Sequence, residues 1–166
     1  MGVSGTGKTT VGAMLAGRLR WTYAEADEFH PAANVAKMRA GIPLDDENRW
    51  PWLRAIGAWI DERAAAGEPA VVTCSALKRR YRDVLRAGRA QVRLIYLDAD
   101  RELIARRLAA RHGHFFPAGL LDSQFSELEP PERDEHSLTV SVDETPEHVV
   151  NEIITRLRPD VRPAQA

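Results

Sequence analysis

The sequence predicts an α/β fold in which a parallel β-sheet is covered by helices on both faces. Three observations predict it. Short apolar, β-branched runs recur along the chain: AVVTC (70–74), VRLIYLD (92–98) and LTVSV (138–142). Helical patterns with one apolar face stand between them. A glycine-rich segment, MGVSGTGKTT, opens the chain and runs directly into such a helix. Strand–helix alternation is the signature of crossover connections, which return each strand parallel to the last.

The elements follow in order. Residues 8–19 place Val11, Leu15 and Leu19 on one helical face. WTYAEA (21–26) reads as a short strand and residues 32–39 as a short helix. After the turn GIPLDD, residues 48–65 read as a longer helix with Leu53, Ile56 and Ile60 on one side. Pro51 is tolerated because it lies near the helix start. AVVTC, bounded by Gly67-Glu68-Pro69, reads as a buried strand. KRRYRDVLRAG (78–88) is a helix stopped at Gly88. VRLIYLD is the clearest strand, and DRELIARRLAARHG (100–113) is a helix capped by Asp98 or Asp100. LTVSV is the last strand. PEHVVNEIITRL (146–157) is the last helix, with Pro146 in its first turn. Residues 1–158 are expected to form a single domain with a lid at about 111–130, and 159–166 a flexible tail.

Composition narrows the function. A chain of 166 residues, 44% hydrophobic and 28% charged, suits one soluble domain with a real core. A net charge of −1 gives no reason to expect a nucleic-acid or membrane-surface partner. The single cysteine, Cys74, excludes an internal disulfide and fits a reducing cytoplasm. No apolar run approaches a transmembrane length. The glycine-rich loop occupies the very start, so no signal peptide is expected.

That loop carries the first chemistry. Gly2 to Thr9 read G-x-x-x-x-G-K-T, a phosphate-binding loop. Its backbone N–H groups form a nest for phosphate oxygens, backed by the positive end of the following helix. Lys8 is placed to reach the β- and γ-phosphates, and the Thr9 hydroxyl to bind Mg²⁺. Gly2, Val3, Ser4, Gly5, Thr6, Gly7, Lys8, Thr9 and Thr10 are the candidate nucleotide contacts. Such a loop leaves the end of a buried strand, yet only Met1 precedes it. The expectation is that a short apolar strand is missing ahead of it and that the chain as written is poorly stable and weakly active.

Three further clusters surround the loop in the expected topology. In residues 25–53, Glu25 and Asp27 follow a strand two positions apart, so both would point to one face. They are either the carboxylates a phosphoryl transfer needs or a solvated acidic loop of helix caps. His30, Asn34, Lys37 and Arg49 share this stretch. A loop histidine is more often structural than catalytic, and no His/Cys spacing suggests zinc. In residues 74–85, Ser75, Lys78, Tyr81 and Arg82 would line a pocket. Lys78 and Arg82 stand one helical turn apart and suit an anionic substrate; Arg79, Arg80 and Arg86 read as an ordinary basic helix start. In residues 107–132, Arg107 and Arg111 could swing onto the transferring phosphate from a lid-like stretch containing Phe115 and Phe116.

Taken together, these pieces resemble the gluconokinases, small kinases with the three-layer P-loop NTPase fold of the shikimate-kinase-like group. The matching segments are GVSGTGKT, ADEFHPAANVAKMRAGIPLDDENRWPWL, CSALKRRYRDVLR, LIYLD, RLAARHGHFFPAGLLDSQFSELEPP and VSVDETPEHVV. They span nearly the whole chain in order, and the long second segment is far more specific than the loop. The resemblance implies a parallel sheet of order 2-3-1-4-5, its first strand absent here. It implies transfer of the ATP γ-phosphate to the 6-hydroxyl of D-gluconate, Mg²⁺, a cytoplasmic location and a homodimer. Carried over by position, Lys8, Asp27 and Arg111 are the catalytic set, with Asp27 the base or orienting carboxylate. Arg107 and Arg111 match lid arginines that bind the nucleotide. Thr9 and Glu25 fall at the metal, although the family carries Asp at the second of these. Asp27, His30, Lys37, Arg49, Ser75, Lys78 and Arg82 fall around the substrate. Residues near Val142 and Asp143 lie where related kinases pass the adenine. Two other readings stay open: another small-molecule kinase of the same fold, such as a shikimate kinase, and an inactive nucleotide-binding protein. Where shikimate kinases carry a glycine-rich segment after the third strand, this chain has Cys74-Ser75-Ala76-Leu77-Lys78.

Overall fold

The computed structural model describes residues 1–110 and 118–157. Helix α1 (Lys8–Leu19) leaves the phosphate loop and ends at Arg20, whose left-handed backbone turns its N–H back onto Ala16 and Gly17. Strand β1 (Thr22–Glu25) follows, then a 3₁₀ turn (Ala26–Phe29) and the short helix α2 (Ala32–Arg39). Helix α3 (Asp46–Ala65) starts two residues before its expected position, because the Asp45 carboxylate accepts from the Asn48 N–H at 2.9 Å and caps it. Strand β2 (Ala70–Thr73), helix α4 (Arg79–Arg86) and strand β3 (Ile95–Asp98) come next. Helix α5 (Arg101–Ala109) is capped by Asp100, which accepts from the Leu103 N–H at 2.7 Å. Helix α6 (Ala118–Glu127), strand β4 (Leu138–Ser141) and helix α7 (Pro146–Leu157) complete the fold.

The strands pair in parallel as two ribbons. β1 lies beside β2, with Thr22 opposite Ala70, and β3 beside β4, with Ile95 opposite Leu138. Between the ribbons stand Met1 and Gly2. The Met1 nitrogen donates to the Ile95 carbonyl, and the Leu97 N–H donates to the Met1 carbonyl at 2.9 Å. This is the bonding of a parallel strand residue opposite Tyr96. On the other side the Gly2 N–H donates to the Ser75 carbonyl at 3.3 Å, just past β2. Across the molecule the order is therefore β1, β2, Met1–Gly2, β3, β4. It reproduces the expected 2-3-1-4-5 arrangement, with the central position held by these two residues.

Three apolar clusters bind the helices to this frame. Val11, Leu15 and Leu19 of α1 meet Val149, Val150 and Ile153 of α7 over Leu97 and Val140. Trp52, Leu53 and Ile56 of α3 meet Tyr81 and Leu85 of α4 over Cys74 and Ala76. The third cluster joins Val3 of the loop to Leu77, Ile104 and Leu121. Leu121 belongs to α6, a helix where the sequence suggested only a glycine-punctuated lid. Its apolar residues Leu121 and Phe125, with Leu128 just past its end, follow helical spacing and pack inward. Arg111, Phe115, Phe116 and the tail at 159–166 lie outside the described residues.

Candidate functional site

The phosphate loop is shaped for an anion. Gly2 has φ +149° and its Cα approaches the Leu97 carbonyl so closely that a Cβ would lie 2.8 Å from that oxygen. Gly7 has φ +86°, and nothing lies within 4 Å of where its Cβ would be, so its constraint is conformational and the space beside it is open. The buried Thr6 hydroxyl and the Lys8 ammonium both donate to the Val3 carbonyl at 2.9 Å, closing the loop on itself. α1 has no side-chain cap and no acidic residue in its first turn. No acidic side chain of this turn therefore competes with an external anion at the positive end of the helix. Beside the loop a cavity of about 300 Å³ runs between Gly5, Gly7 and Thr10 on one side and Val142, Glu144 and Pro146 on the other. Arg107 lies along it and donates to the Val142 carbonyl at 2.5 Å. This cavity brings Arg107 and the 142–146 stretch to the nucleotide loop.

Glu25 and Thr9 meet through a residue that sequence reasoning passed over. The Tyr23 hydroxyl donates to Glu25 Oε1 at 2.9 Å, stands 3.1 Å from Thr73 Oγ1 and 3.4 Å from the Thr9 carbonyl. Burial first, and the Glu25 carboxylate with it, pushes this phenol up from its ordinary value, so it stays a proton donor. The exposed Thr9 hydroxyl and the half-buried Glu25 carboxylate are hard oxygen donors at the mouth of the loop. Mg²⁺ takes few protein oxygens and completes its shell with water and substrate phosphate, so this donor set fits it. Among the described residues no group of three or more His, Cys, Asp or Glu is placed to hold a metal by itself. Asp27 differs from expectation. β1 ends at Glu25, and Asp27 sits exposed in the 3₁₀ turn, so strand alternation does not relate the two carboxylates.

The second half of the site is built around Tyr81. Its ring carries Arg49, Lys78 and Arg80 at 5.4, 5.8 and 5.6 Å from its centroid. Its hydroxyl donates to Asp46 at 2.6 Å. That bond first, and the nearby cations with it, holds the Asp46 carboxyl below the usual carboxylate range. Arg49 from α3 and Lys78 from the turn before α4 both face Glu127, at 3.8 and 3.7 Å. The turn after β2 passes through Ala76 at φ +42°, a conformation that strains a residue bearing a Cβ. Within it the Ser75 carbonyl accepts from the Gly2 N–H, which ties this turn to the phosphate loop.

Several residues of this region, among them the expected substrate residues His30, Lys37 and Arg82, make contacts within the frame. His30 stacks on Trp52, with centroids 4.4 Å apart and planes at 12°. Trp52 Nε1–H donates to the Ala26 carbonyl at 2.6 Å. Burial lowers the His30 pKa from its ordinary value against the pull of Asp27. Asn34 donates to the Asn48 carbonyl and Lys37 to the Asn48 side chain, each at 2.8 Å, so they clamp α2 to α3. Arg82 is the clearest correction. It is 1% exposed, pairs in a fork with Glu135 at 2.6 and 2.7 Å, and donates to the carbonyls of Ala76, Leu77 and Glu129. Its fork is consumed by the frame, whereas Lys78 stays partly exposed, over the Tyr81 ring and facing Glu127. The partner Glu135 lies over fifty positions away, so local spacing carried no trace of the pairing.

A parallel α/β frame with an uncapped phosphate loop, tied by the turn after β2 to a cationic half-site, defines a P-loop kinase of small molecules. The family model described as "AAA domain" matches residues 1–131. Gluconokinase of Gluconobacter oxydans (strain 621H) is 49% identical over 154 residues, covering 93% of this chain and 86% of that protein. The crystal structure of a gluconokinase from Sinorhizobium meliloti 1021 superposes with a TM-score of 0.85 at 41% identity, covering 97% of this chain and 90% of that one. A sugar kinase from Janibacter sp. HTCC2649, an unliganded crystal structure, superposes at 0.89 with 48% identity, covering 99% and 94%. The chain belongs to the gluconokinase family.

Proposed function

We propose that this chain is an ATP-dependent kinase that phosphorylates D-gluconate at its 6-hydroxyl. One observation supports this above the rest. The turn after β2 joins an anion-ready phosphate loop to two cations, Arg49 and Lys78, that converge on one carboxylate. A triphosphate suits the first site and a sugar acid the second. The loop N–H groups and Lys8 hold the β- and γ-phosphates in line with the acceptor. Asp27 takes the proton from the 6-hydroxyl as its oxygen bonds to the γ-phosphorus and the bond to the ADP oxygen breaks. Arg107, and Arg111 from the segment beyond α5, carry positive charge to the transferring phosphoryl group. Thr9 and Glu25 would hold Mg²⁺, which would neutralise charge on the phosphates. A cytoplasmic homodimer is part of the same proposal on the strength of the family resemblance. Among the described residues no helix is long and apolar enough to cross a membrane. A coupled assay with ATP tests the proposal. Turnover is expected with gluconate and not with shikimate, glycerate or hexoses, and equal rates across that panel would refute it. ATP binding without turnover would instead support an inactive nucleotide-binding protein.

A further inference from the structure

The segment LLDSQFSELEPP, residues 120–131, enters the site as described only through Glu127, yet a second of its side chains, Gln124, reaches the phosphate loop. The Ser4 N–H donates to Gln124 Oε1 at 2.6 Å, and Gln124 Nε2 donates to Ser4 Oγ at 3.0 Å. One neutral amide thus bonds both the N–H and the hydroxyl of a loop residue 120 positions away. The chemistry fits an amide, whose oxygen accepts from the backbone N–H while its NH₂ donates to the hydroxyl. Ser4 offers a backbone donor and a hydroxyl side by side, which calls for an acceptor and a donor in one plane. A carboxylate would accept both, but would place a negative charge beside a nest meant for phosphate.

The helix bearing this amide is firmly seated. Leu121 is 5% exposed and packs with Val3, the residue before Ser4, and with Leu77 and Ile104. Asp122 pairs with Arg101 of α5. Glu127, three positions beyond Gln124 and so near it on the helix surface, faces Arg49 and Lys78. Helix α6 therefore touches the phosphate loop with one side chain and the two cations with the next turn. We propose that Gln124 is a positioning residue, and that by clamping Ser4 it sets the phosphate loop at a fixed distance from the acceptor half-site. It touches no substrate; it acts through Ser4.

The proposal rests on residues 2–9 holding ATP. Gln124→Met keeps length and apolar packing but loses both bonds, and Ser4→Ala loses only the hydroxyl bond. Gln124→Met is expected to lower kcat about tenfold, equivalent to about 1.4 kcal/mol of transition-state positioning. The gluconate KM should stay within about twofold and the melting temperature within a few degrees. Ser4→Ala should cost less, and the double variant no more than Gln124→Met alone, because the two residues act through one contact. Affinity for a non-hydrolysable ATP analogue, read by calorimetry, should fall several-fold in Gln124→Met. A kcat within twofold of wild type, or losses that multiply in the double variant, would overturn the proposal. So would a loss that merely follows a lowered melting temperature. The analogue arm stands apart from the substrate: a wild type inactive on gluconate that still shows the affinity loss refutes the gluconate reading and leaves the clamp supported.

Discussion

Removing the Glu135 carboxylate should destabilise this protein severely while leaving the chemistry of the folded enzyme intact. Glu135 is 2% exposed and Arg82 1%. The two meet in a fork of two bonds, and three backbone carbonyls complete the Arg82 shell. Arg82 lies on α4, and Glu135 lies in the 3₁₀ turn Arg133–Glu135 before β4, so the pair staples two distant parts of the chain. Glu135→Gln leaves the guanidinium buried with its charge unmatched. Breaking such a pair from one side costs about 3–5 kcal/mol. That is a large part of the 5–15 kcal/mol by which a domain is stable. For a chain of this size each kcal/mol moves the melting temperature by about 2–4 °C, so a fall of about 6–20 °C is expected. Arg82→Met should cost as much, because Glu135 is then stranded. The double variant Arg82→Met with Glu135→Met should lose less than either single change, since no buried charge remains. The assay is calorimetric melting of all four proteins, with gluconate kinase activity measured well below the lowest transition. If Arg82→Met melts with the wild type yet raises the gluconate KM strongly, Arg82 is a substrate ligand and the framework assignment is wrong.

Three further outcomes are expected. Asp27→Asn should lower kcat by about 10²-fold or more while ATP-analogue affinity is kept, a loss typical of an acid–base group; a kcat within a few-fold would reduce Asp27 to a turn residue. Lys78→Ala should raise the gluconate KM by about 5–150-fold, the equivalent of about 1–3 kcal/mol for a lost charged hydrogen bond, with the ATP KM little changed. An unmoved gluconate KM would make Lys78 a surface charge. His30, stacked on Trp52 with its pKa lowered by burial, favours folding while neutral. Its contribution is present above the unfolded value of about 6.5 and is lost as pH falls from there toward the lower folded value. His30→Gln should therefore flatten the decline in melting temperature below that pH, and an unchanged slope would show that His30 titrates alike in both states.

Much of the site was legible because its parts are contiguous. The loop from Gly2 to Thr9 announces itself by residue type and spacing, and the helix that follows it begins at Lys8 as the apolar period requires. Helices 32–39 and 146–157 matched their patterns to the residue, since each lies between a clear turn and a clear stop. Other features escaped for physical reasons. The helix α6 within the stretch expected to form a lid is hard to see because its glycine and the aromatics before it mask a short amphipathic stripe. Glu25 and Asp27 were assigned one face by strand alternation, but the strand ended at Glu25 and a 3₁₀ turn changed the geometry.

By itself the sequence determined the fold class, the phosphate loop and the family resemblance. Each depends on residues close in the chain, where hydrophobic period, glycine placement and turn chemistry act locally. What the tertiary structure alone decided is which charges remain available to a substrate. Arg82 and Lys78 stand four positions apart and look equivalent as residues, yet one is buried against Glu135 and the other stays partly exposed beside Glu127. Tyr23 between Glu25 and Thr9, and Gln124 on Ser4, were equally silent in the sequence. A side chain's partners across the fold are fixed by packing, and burial then makes an unmatched charge or an unbonded amide too costly to keep.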